Sequence, residues 1–219
     1  MECPLAIDRP RHRIILALDI ERSTCRVDAD KAALRSTLYR LFHQALESAG
    51  IQPDYYDGFI DRGDGILALI RPVDQVPKTL LLSHAIPAFS RLLADHNSGL
   101  SRPGWEQRQL RVRVVLHAGE VNYDDNGCFG EALDVAFRLL DAAGVKRALG
   151  AAADPLILVV SREIYESVVR HGHDGIDQHA FRSLVQVRIA GRRYPGWVHV
   201  PGSPGRDNVA ELDSYRRLA

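Results

Sequence analysis

The 219-residue sequence has few cysteines, no net charge and no long hydrophobic run. Its three cysteines, Cys3, Cys25 and Cys128, are widely separated and show neither the paired spacing of a zinc site nor the even count of a disulfide framework. This usage indicates a reducing, cytoplasmic compartment. The 28 basic residues equal the 28 acidic ones, which argues against nucleic acid or acidic membrane as a general partner. No segment approaches the roughly 18 consecutive apolar residues of a membrane span, so we expect no membrane insertion.

The length and composition are those of one globular domain. Hydrophobic residues make up 46% of the chain and charged residues 26%, which supplies a core without suggesting a fibrous or disordered chain. We predict an N-terminal arm at residues 1–12, a single domain at 13–201 and a C-terminal tail at 202–219. No internal repeat or low-complexity tract divides the domain.

Hydrophobic periodicity predicts a chain that mixes strands and helices. The predicted helices are 30–49, 76–95, 131–143 and a short one that Ser161 caps, ending near 170. The predicted strands are 13–18, 110–116, 156–160, 181–189 and 197–200, with a hairpin at 55–71. Residues 96–105 and 122–130 are predicted loops, and Pro87 predicts a kink or break in the second helix. This order predicts an α+β domain with a central, mostly antiparallel sheet flanked by helices.

Two aspartates lie where a nucleotide-bound metal could be held. Asp19 ends the first buried strand, and Asp64 lies in a Gly-Asp-Gly turn between two apolar segments. Mg²⁺ or Mn²⁺ bound to a triphosphate needs only one or two carboxylates, because phosphate oxygens and water complete its coordination shell. Ser23 and Thr24 follow the first strand, where backbone amides at a helix start can bind phosphate. Asp64 is equally well interpreted as a plain turn residue, since aspartate is also common in tight turns.

Five segments, taken in order, resemble the motifs of class III adenylyl and guanylyl cyclases. Residues 19–24 resemble the opening Asp-Ile-x-x-(Phe/Ser)-Thr motif, and residues 63–68 resemble Gly-Asp-x-x-x-Ala. Residues 114–121 are similar to the Gly-Ile-His-x-Gly-x-Val strand, 130–139 to Gly-x-x-Val-Asn-x-Ala-Ala-Arg-Leu, and 156–161 to the strand that follows. The resemblance covers roughly 13–200 and implies the ferredoxin-like class III cyclase fold.

The resemblance implies a role for each matching residue in making a cyclic nucleotide. Asp19, Asp64 and the main-chain carbonyl of Ile20 would bind two Mg²⁺ or Mn²⁺ ions. These ions would activate the ribose 3′-hydroxyl of a nucleoside triphosphate and clamp its α-phosphate. Arg138 would neutralise the charge that develops on the phosphate while pyrophosphate leaves.

The same resemblance implies how the triphosphate is bound and how the protein assembles. Ser23, Thr24 and Arg192 match triphosphate-binding positions, with arginine where the family usually keeps a lysine. In this family the metal ligands and the transition-state arginine come from opposite subunits. The resemblance therefore implies a head-to-tail homodimer with two sites.

Two departures from the family pattern bear on turnover and on the choice of base. Asp134 replaces the asparagine that orients the ribose, and an ionised carboxylate accepts hydrogen bonds but donates none. Asp134 could instead form a simple helical ion pair with Arg138, four residues later. Ile60 and Gly127 occupy the base-selecting positions and match neither the adenine pair nor the guanine pair; Cys128 would restore half of a guanine-type pair only after a one-residue slip.

Two functions stay open at this point. The first is an active cyclase, with pyrimidine bases included because stand-alone bacterial cyclases that resemble this family make cyclic UMP or CMP in anti-phage defence. The second is a non-catalytic module that binds nucleotide or dimerises in signalling. Diguanylate cyclases are excluded, because their Gly-Gly-(Asp/Glu)-Glu-Phe hairpin is replaced by Arg-Gly-Asp-Gly at 62–65. His117 is predicted to be a hydrogen-bonded structural residue and not a catalyst.

Overall fold

The structure, a computed structural model, describes residues 9–100 and 105–199 and contains both strands and helices. The strands are β1 (Arg11–Ile20), β2 (Ile60–Asp61), β3 (Gly65–Ile70), β4 (Val112–Asp124), β5 (Gly127–Phe129), β6 (Leu156–Ser161), β7 (Arg182–Ile189) and β8 (Arg192–His199). The helices are α1 (Asp28–Ser48), α2 (Lys78–Leu80), α3 (Ile86–Ser98), α4 (Trp105–Arg108), α5 (Glu131–Leu140), α6 (Ala143–Ala151) and α7 (Arg162–Ser167). The predicted α+β class is confirmed.

One sheet places β1 near its centre. The strand order is β2-β3-β1-β4-β6-β8-β7, with β5 paired to β4 beside this path. β4 and β6 are parallel, and the other paired strands are antiparallel. The mostly antiparallel sheet that the sequence predicts is therefore confirmed.

Alternation along β1 separates two hydrophobic cores. The even-numbered side chains from Ile14 to Ile20 pack against α1 and α3 on one face of the sheet. Ile15 and Ala17 pack on the opposite face, against α5 and α6. Helices cover both faces, which explains the continuous apolar run in the sequence. Because successive side chains point to opposite faces, Asp19 lies on the same face as Ile15 and Ala17, which is the α5 side.

Several element boundaries differ from the predictions. β4 continues to Asp124 and turns into β5, so the predicted loop at 122–130 contains a hairpin. The helix predicted at 131–143 ends at Leu140 and is followed by α6, which the sequence did not predict. The apolar face of α6 buries only Val145 and Leu149, and such a short stripe is a weak signal of helix. α4 lies partly in the predicted 96–105 loop, and β8 begins five residues earlier than predicted.

A π-helical turn accommodates Pro87. Leu81–Ala85 form this turn between α2 and α3, and Pro87 lies in the first turn of α3. Proline lacks an N–H and its ring clashes with the carbonyl four residues earlier, so a locally wider turn relieves both conflicts. The predicted irregularity is thus a bulge that lets the helix continue.

The limits of the predicted domain are only partly covered by the described residues. β1 begins at Arg11, inside the predicted 1–12 arm. Residues 1–8, which form most of that arm, and the predicted tail at 202–219 lie outside the described residues. Within the ranges that the structure describes, no helix combines the length and apolar character needed to cross a membrane.

Candidate active site

The β2–β3 hairpin brings Asp64 beside Asp19. Asp19 pairs with Gly65 across the β1–β3 ladder, and the amide of Ile20 donates to the carbonyl of Asp64 at 3.1 Å. The backbones approach so closely that a Cβ at Gly65 would overlap the carbonyl oxygen of Leu18. Glycine is therefore required here, and the close approach places the two predicted metal carboxylates at one end of adjacent strands.

The loop after β1 borders a cavity that Asp64 also lines. Arg22 takes a left-handed backbone conformation (φ 55°) that turns the chain into a 3₁₀ turn over Ser23–Cys25. The Ser23 side chain is buried and its hydroxyl donates to the Asp64 carboxylate. A cavity of about 540 Å³ opens between this loop, the first turns of α1 and the hairpin; it is lined by Ile20, Ser23, Thr24, Arg26, Lys31, Leu34, Arg35, Asp61, Gly63 and Asp64.

Arg113 is a site residue that the sequence reasoning missed. It lies directly opposite Asp19 in the β1–β4 ladder, and its guanidinium donates to the Asp19 carboxylate. The Arg113 side chain is 10% exposed and that of Asp19 is 18% exposed, so the pair is largely shielded from water. The alternation of arginine with valine at 111–115 was the available signal, because an arginine inside a buried strand needs an acidic partner.

A second group of charges extends from Arg113 to helix α6. Asp141 Oδ1 accepts from Lys146 Nζ at 2.6 Å and from Arg113 Nη1 at 3.4 Å. The hydrogen bond from Lys146, supported by Arg113, holds the pKa of Asp141 below its usual value. Arg113 and Lys146 line a second cavity of about 360 Å³, together with Ile20, Glu21, Arg22, Ser23, Thr24, Asp64 and Leu149.

The carboxylates fit a metal ion that arrives with a nucleotide. Within residues 9–100 and 105–199, no group of three or more histidine, cysteine or acidic side chains could hold a metal by itself. Asp64 lines both cavities, and Asp19 lies beside it on β1 with its carboxylate bound to Arg113. Mg²⁺ and Mn²⁺ are bound by one or two such carboxylates when phosphate oxygens and water complete the shell.

The predicted α5 residues do not join this group. Asp134 and Arg138 are exposed on α5 and line neither cavity. They form no ion pair with each other or with any other residue in the described part of the chain, so the simple helical pair is not present. The Arg192 side chain is 77% exposed, and its Nη1 lies 3.9 Å from Oε1 of Glu131 in the first turn of α5. The chain therefore presents two separate sets of predicted site residues.

Of the two predicted base-pocket positions, Ile60 lies on the α5 side of the sheet and Gly127 is exposed. Ile60 is partly buried against the second core, and so is Cys128 on β5. Burial raises the pKa of the Cys128 thiol, and the nearby charge of Arg62 opposes this shift. Gly127 is exposed at the hairpin turn with φ 137° and presents no side chain. Cys128 thus packs on the same core as Ile60, as does Tyr123 of the same hairpin.

His117 has the structural role that the sequence predicts. Its Nδ1 lies 2.8 Å from the Ser161 hydroxyl, and that hydroxyl also caps α7. Burial lowers the pKa of His117 to about 4, so the imidazole is neutral at physiological pH.

Known structures share this fold. The chain is similar to the guanylyl cyclase Cya2 (16% identity, TM-score 0.59, covering 90% of this chain and 96% of that one). It is also similar to an adenylate/guanylate cyclase/hydrolase from Silicibacter pomeroyi (19% identity, TM-score 0.59, 90% and 100% covered) and to the adenylyl cyclase CyaB from P. aeruginosa (15% identity, TM-score 0.54, 92% and 100% covered). No protein-family model matches the sequence, and neither does any curated protein. The chain therefore has the class III cyclase fold.

Proposed function

We propose that this chain is a nucleotidyl cyclase that converts a nucleoside triphosphate to a 3′,5′-cyclic mononucleotide and pyrophosphate. The observation that carries the proposal is that the β1–β3 ladder brings the backbones of Asp19 and Asp64 together in a cyclase fold, with Asp64 lining the cavity beside Ser23 and Thr24. One or two carboxylates are enough to hold a metal-bound triphosphate, because phosphate oxygens and water complete the coordination shell.

The residues around the two cavities each have a task in this proposal. Asp19, Asp64 and the carbonyl of Ile20 would hold Mg²⁺ or Mn²⁺, which supplies Lewis-acid activation of the 3′-hydroxyl and the α-phosphate when bound. The Ser23 hydroxyl orients the Asp64 carboxylate. Arg113 must release Asp19 as that carboxylate becomes a ligand, and its guanidinium is then free to contact phosphate oxygens.

A head-to-tail homodimer would complete the site with the second set of residues. Asp134, Arg138 and Arg192 lie on α5 or beside its first turn and line neither cavity of their own chain. In a dimer, α5 of one subunit would face the cavities of the other. Arg138 would then stabilise the charge on the α-phosphate during in-line attack, Asp134 would accept from a ribose hydroxyl, and Arg192 would bind the triphosphate.

Uridine and cytidine triphosphates are the substrates that we propose. Ile60 offers no hydrogen-bonding group to a purine edge, and Gly127 has no side chain. Neither residue supplies the polar pair on which adenine or guanine selection depends in the family that the sequence resembles. Cyclic UMP or cyclic CMP would in that case be a signalling product, as in anti-phage defence.

A non-catalytic nucleotide-binding module is the second candidate. Asp134 favours it, because a carboxylate near phosphates adds repulsion where an asparagine would not. The Asp19–Arg113 pair also favours it, because the pair must be broken before Asp19 can bind a metal.

The test is incubation with Mn²⁺ and each of ATP, GTP, CTP and UTP, followed by mass spectrometry of the products. We expect one dominant cyclic monophosphate, and Asp64→Asn should abolish it. Asp74→Asn is the matched control, because Asp74 is an exposed carboxylate in the loop after β3. No product from any triphosphate with a folded dimer would reject the cyclase and favour the binding module.

A further inference from the structure

The smaller cavity is lined by two cations, Arg113 and Lys146, and the proposed reaction does not yet use Lys146. The rest of its lining is formed by residues 20–24, Asp64 and Leu149. Lys146 lies on α6, a helix outside the motifs that carry the family resemblance. Its side chain is 50% exposed, so solvent and ligands can reach it.

Lys146 and Arg113 converge on a single oxygen atom. Both contact Asp141 Oδ1, and Asp141 is itself 71% exposed. Two cations that already share one carboxylate oxygen can share a phosphate oxygen in the same way. The exposed Asp141 carboxylate competes only weakly with a phosphate for these two cations, because water screens its ion pairs.

The charges in this group also respond to the first step of the proposed reaction. Arg113 and Lys146 are balanced by Asp19 and Asp141. Once Asp19 turns to a metal, the two cations are balanced by Asp141 alone, and the excess positive charge lies in the cavity next to the Ser23–Thr24 loop. That excess charge is suited to a polyanion bound alongside the metal.

We infer that Lys146, together with Arg113, binds the pyrophosphate end of the substrate from within the same subunit. This inference rests on the proposed cyclase function. In the reaction, the 3′-oxygen forms a bond to the α-phosphorus and loses its proton to solvent, while the bond from the α-phosphorus to the bridging oxygen breaks. Pyrophosphate leaves with the electron pair of that bond, and the Lys146 ammonium stabilises its charge in the transition state and in the product complex.

Binding of inorganic pyrophosphate with Mg²⁺, measured by calorimetry, tests the inference without requiring turnover. Lys146→Ala should weaken binding about tenfold or more, because a charge-assisted contact is lost. Arg147→Ala is the matched control, since Arg147 is the next residue on α6, is exposed and lines neither cavity. It should change the affinity less than about twofold.

Asp141→Asn separates anion binding from a structural role. If Lys146 acts on the ligand, removing its competitor should keep or raise the affinity for pyrophosphate. An equal loss in Lys146→Ala and Asp141→Asn, or no loss in Lys146→Ala, would overturn the inference. Pyrophosphate binding that depends on Lys146 in a chain that makes no cyclic product would reject the cyclase alone. A cyclic product with unchanged KM, kcat and pyrophosphate affinity in Lys146→Ala would reject only the role of Lys146.

Discussion

Replacement of Asp19 by asparagine should destabilise the fold as well as prevent turnover. Asp19→Asn keeps the shape of the side chain but removes the charge opposite Arg113. The amide oxygen can still accept from Arg113, but the only charged partner left to the guanidinium in the described residues would be Asp141, whose Oδ1 lies 3.4 Å from Arg113 Nη1. A largely buried guanidinium would thereby lose its nearest countercharge.

The size of this effect follows from the burial of the pair. Removing one partner of a fully buried ion pair costs about 3–5 kcal/mol. Asp19 and Arg113 are 18% and 10% exposed, and Asp141 remains nearby, so we expect about 2 kcal/mol. For a chain of this length, that corresponds to a melting temperature lower by about 4–8 °C.

The measurement is urea unfolding of a double-mutant cycle in metal-free buffer. The four proteins are wild type, Asp19→Asn, Arg113→Met and the double variant. We expect a coupling energy of about 2 kcal/mol, since each single variant leaves its partner uncompensated. Asp141→Asn should cost less than about 1 kcal/mol, because that carboxylate is 71% exposed.

Additive single variants would refute this reasoning. If the coupling energy is below about 0.5 kcal/mol, Asp19 and Arg113 do not stabilise each other and the site needs no rearrangement to bind a metal. Asp64→Asn is a cleaner test of metal-dependent turnover than Asp19→Asn, because Asp64 has no ion pair in the described residues and its side chain accepts a hydrogen bond from the Ser23 hydroxyl.

Three further results are expected. Arg138→Ala should lower the turnover number by a factor of about 10²–10³ and change the affinity for nucleotide by less than about twofold, because Arg138 contacts the phosphate in the transition state. A loss of nucleotide affinity as large as the loss of turnover, measured by calorimetry, would contradict this. Gly65→Ala should lower the free energy of unfolding, measured in urea, by about 1–3 kcal/mol and should also lower turnover, because the new Cβ meets the Leu18 carbonyl. Gly150→Ala is the control: its Cβ would lie in open space, so the variant should be as stable as the wild type or more stable. Stability should fall as the pH drops from 6.5 towards 4, because His117 and His199 each have a pKa of about 4 when folded and bind a proton more readily when unfolded; each contributes up to about 3 kcal/mol. His117→Gln should therefore reduce the slope of the stability profile in this range, and the loss that remains belongs to His199.

Much of the fold could be predicted because its signals are local. The apolar run of β1, the Asp-Gly turn of the hairpin and the Ser161 cap each depend on a few neighbouring residues. Helix α6 and strand β5 were missed for the opposite reason, since each is short and stabilised by packing on a distant core. Intrinsic propensity cannot predict such elements when tertiary contacts decide them.

The sequence by itself determined the candidate metal ligands. Asp19 and Asp64 are predicted from the ends of apolar segments and from their motif, and the β1–β3 ladder brings their backbones next to each other. Strand ends and tight turns are local properties, so the two residues could be identified before their distance was known.

Only the tertiary structure decided which charges surround these ligands. Asp19 and Arg113 are 94 residues apart in the chain and meet because β1 and β4 pair in one register; a shift of one residue would place their side chains on opposite faces. Lys146 reaches the same group through α6, and Arg138 stays outside both cavities because α5 lies over the second core. Register and helix placement arise from packing of the whole domain, and no short segment of sequence contains that information.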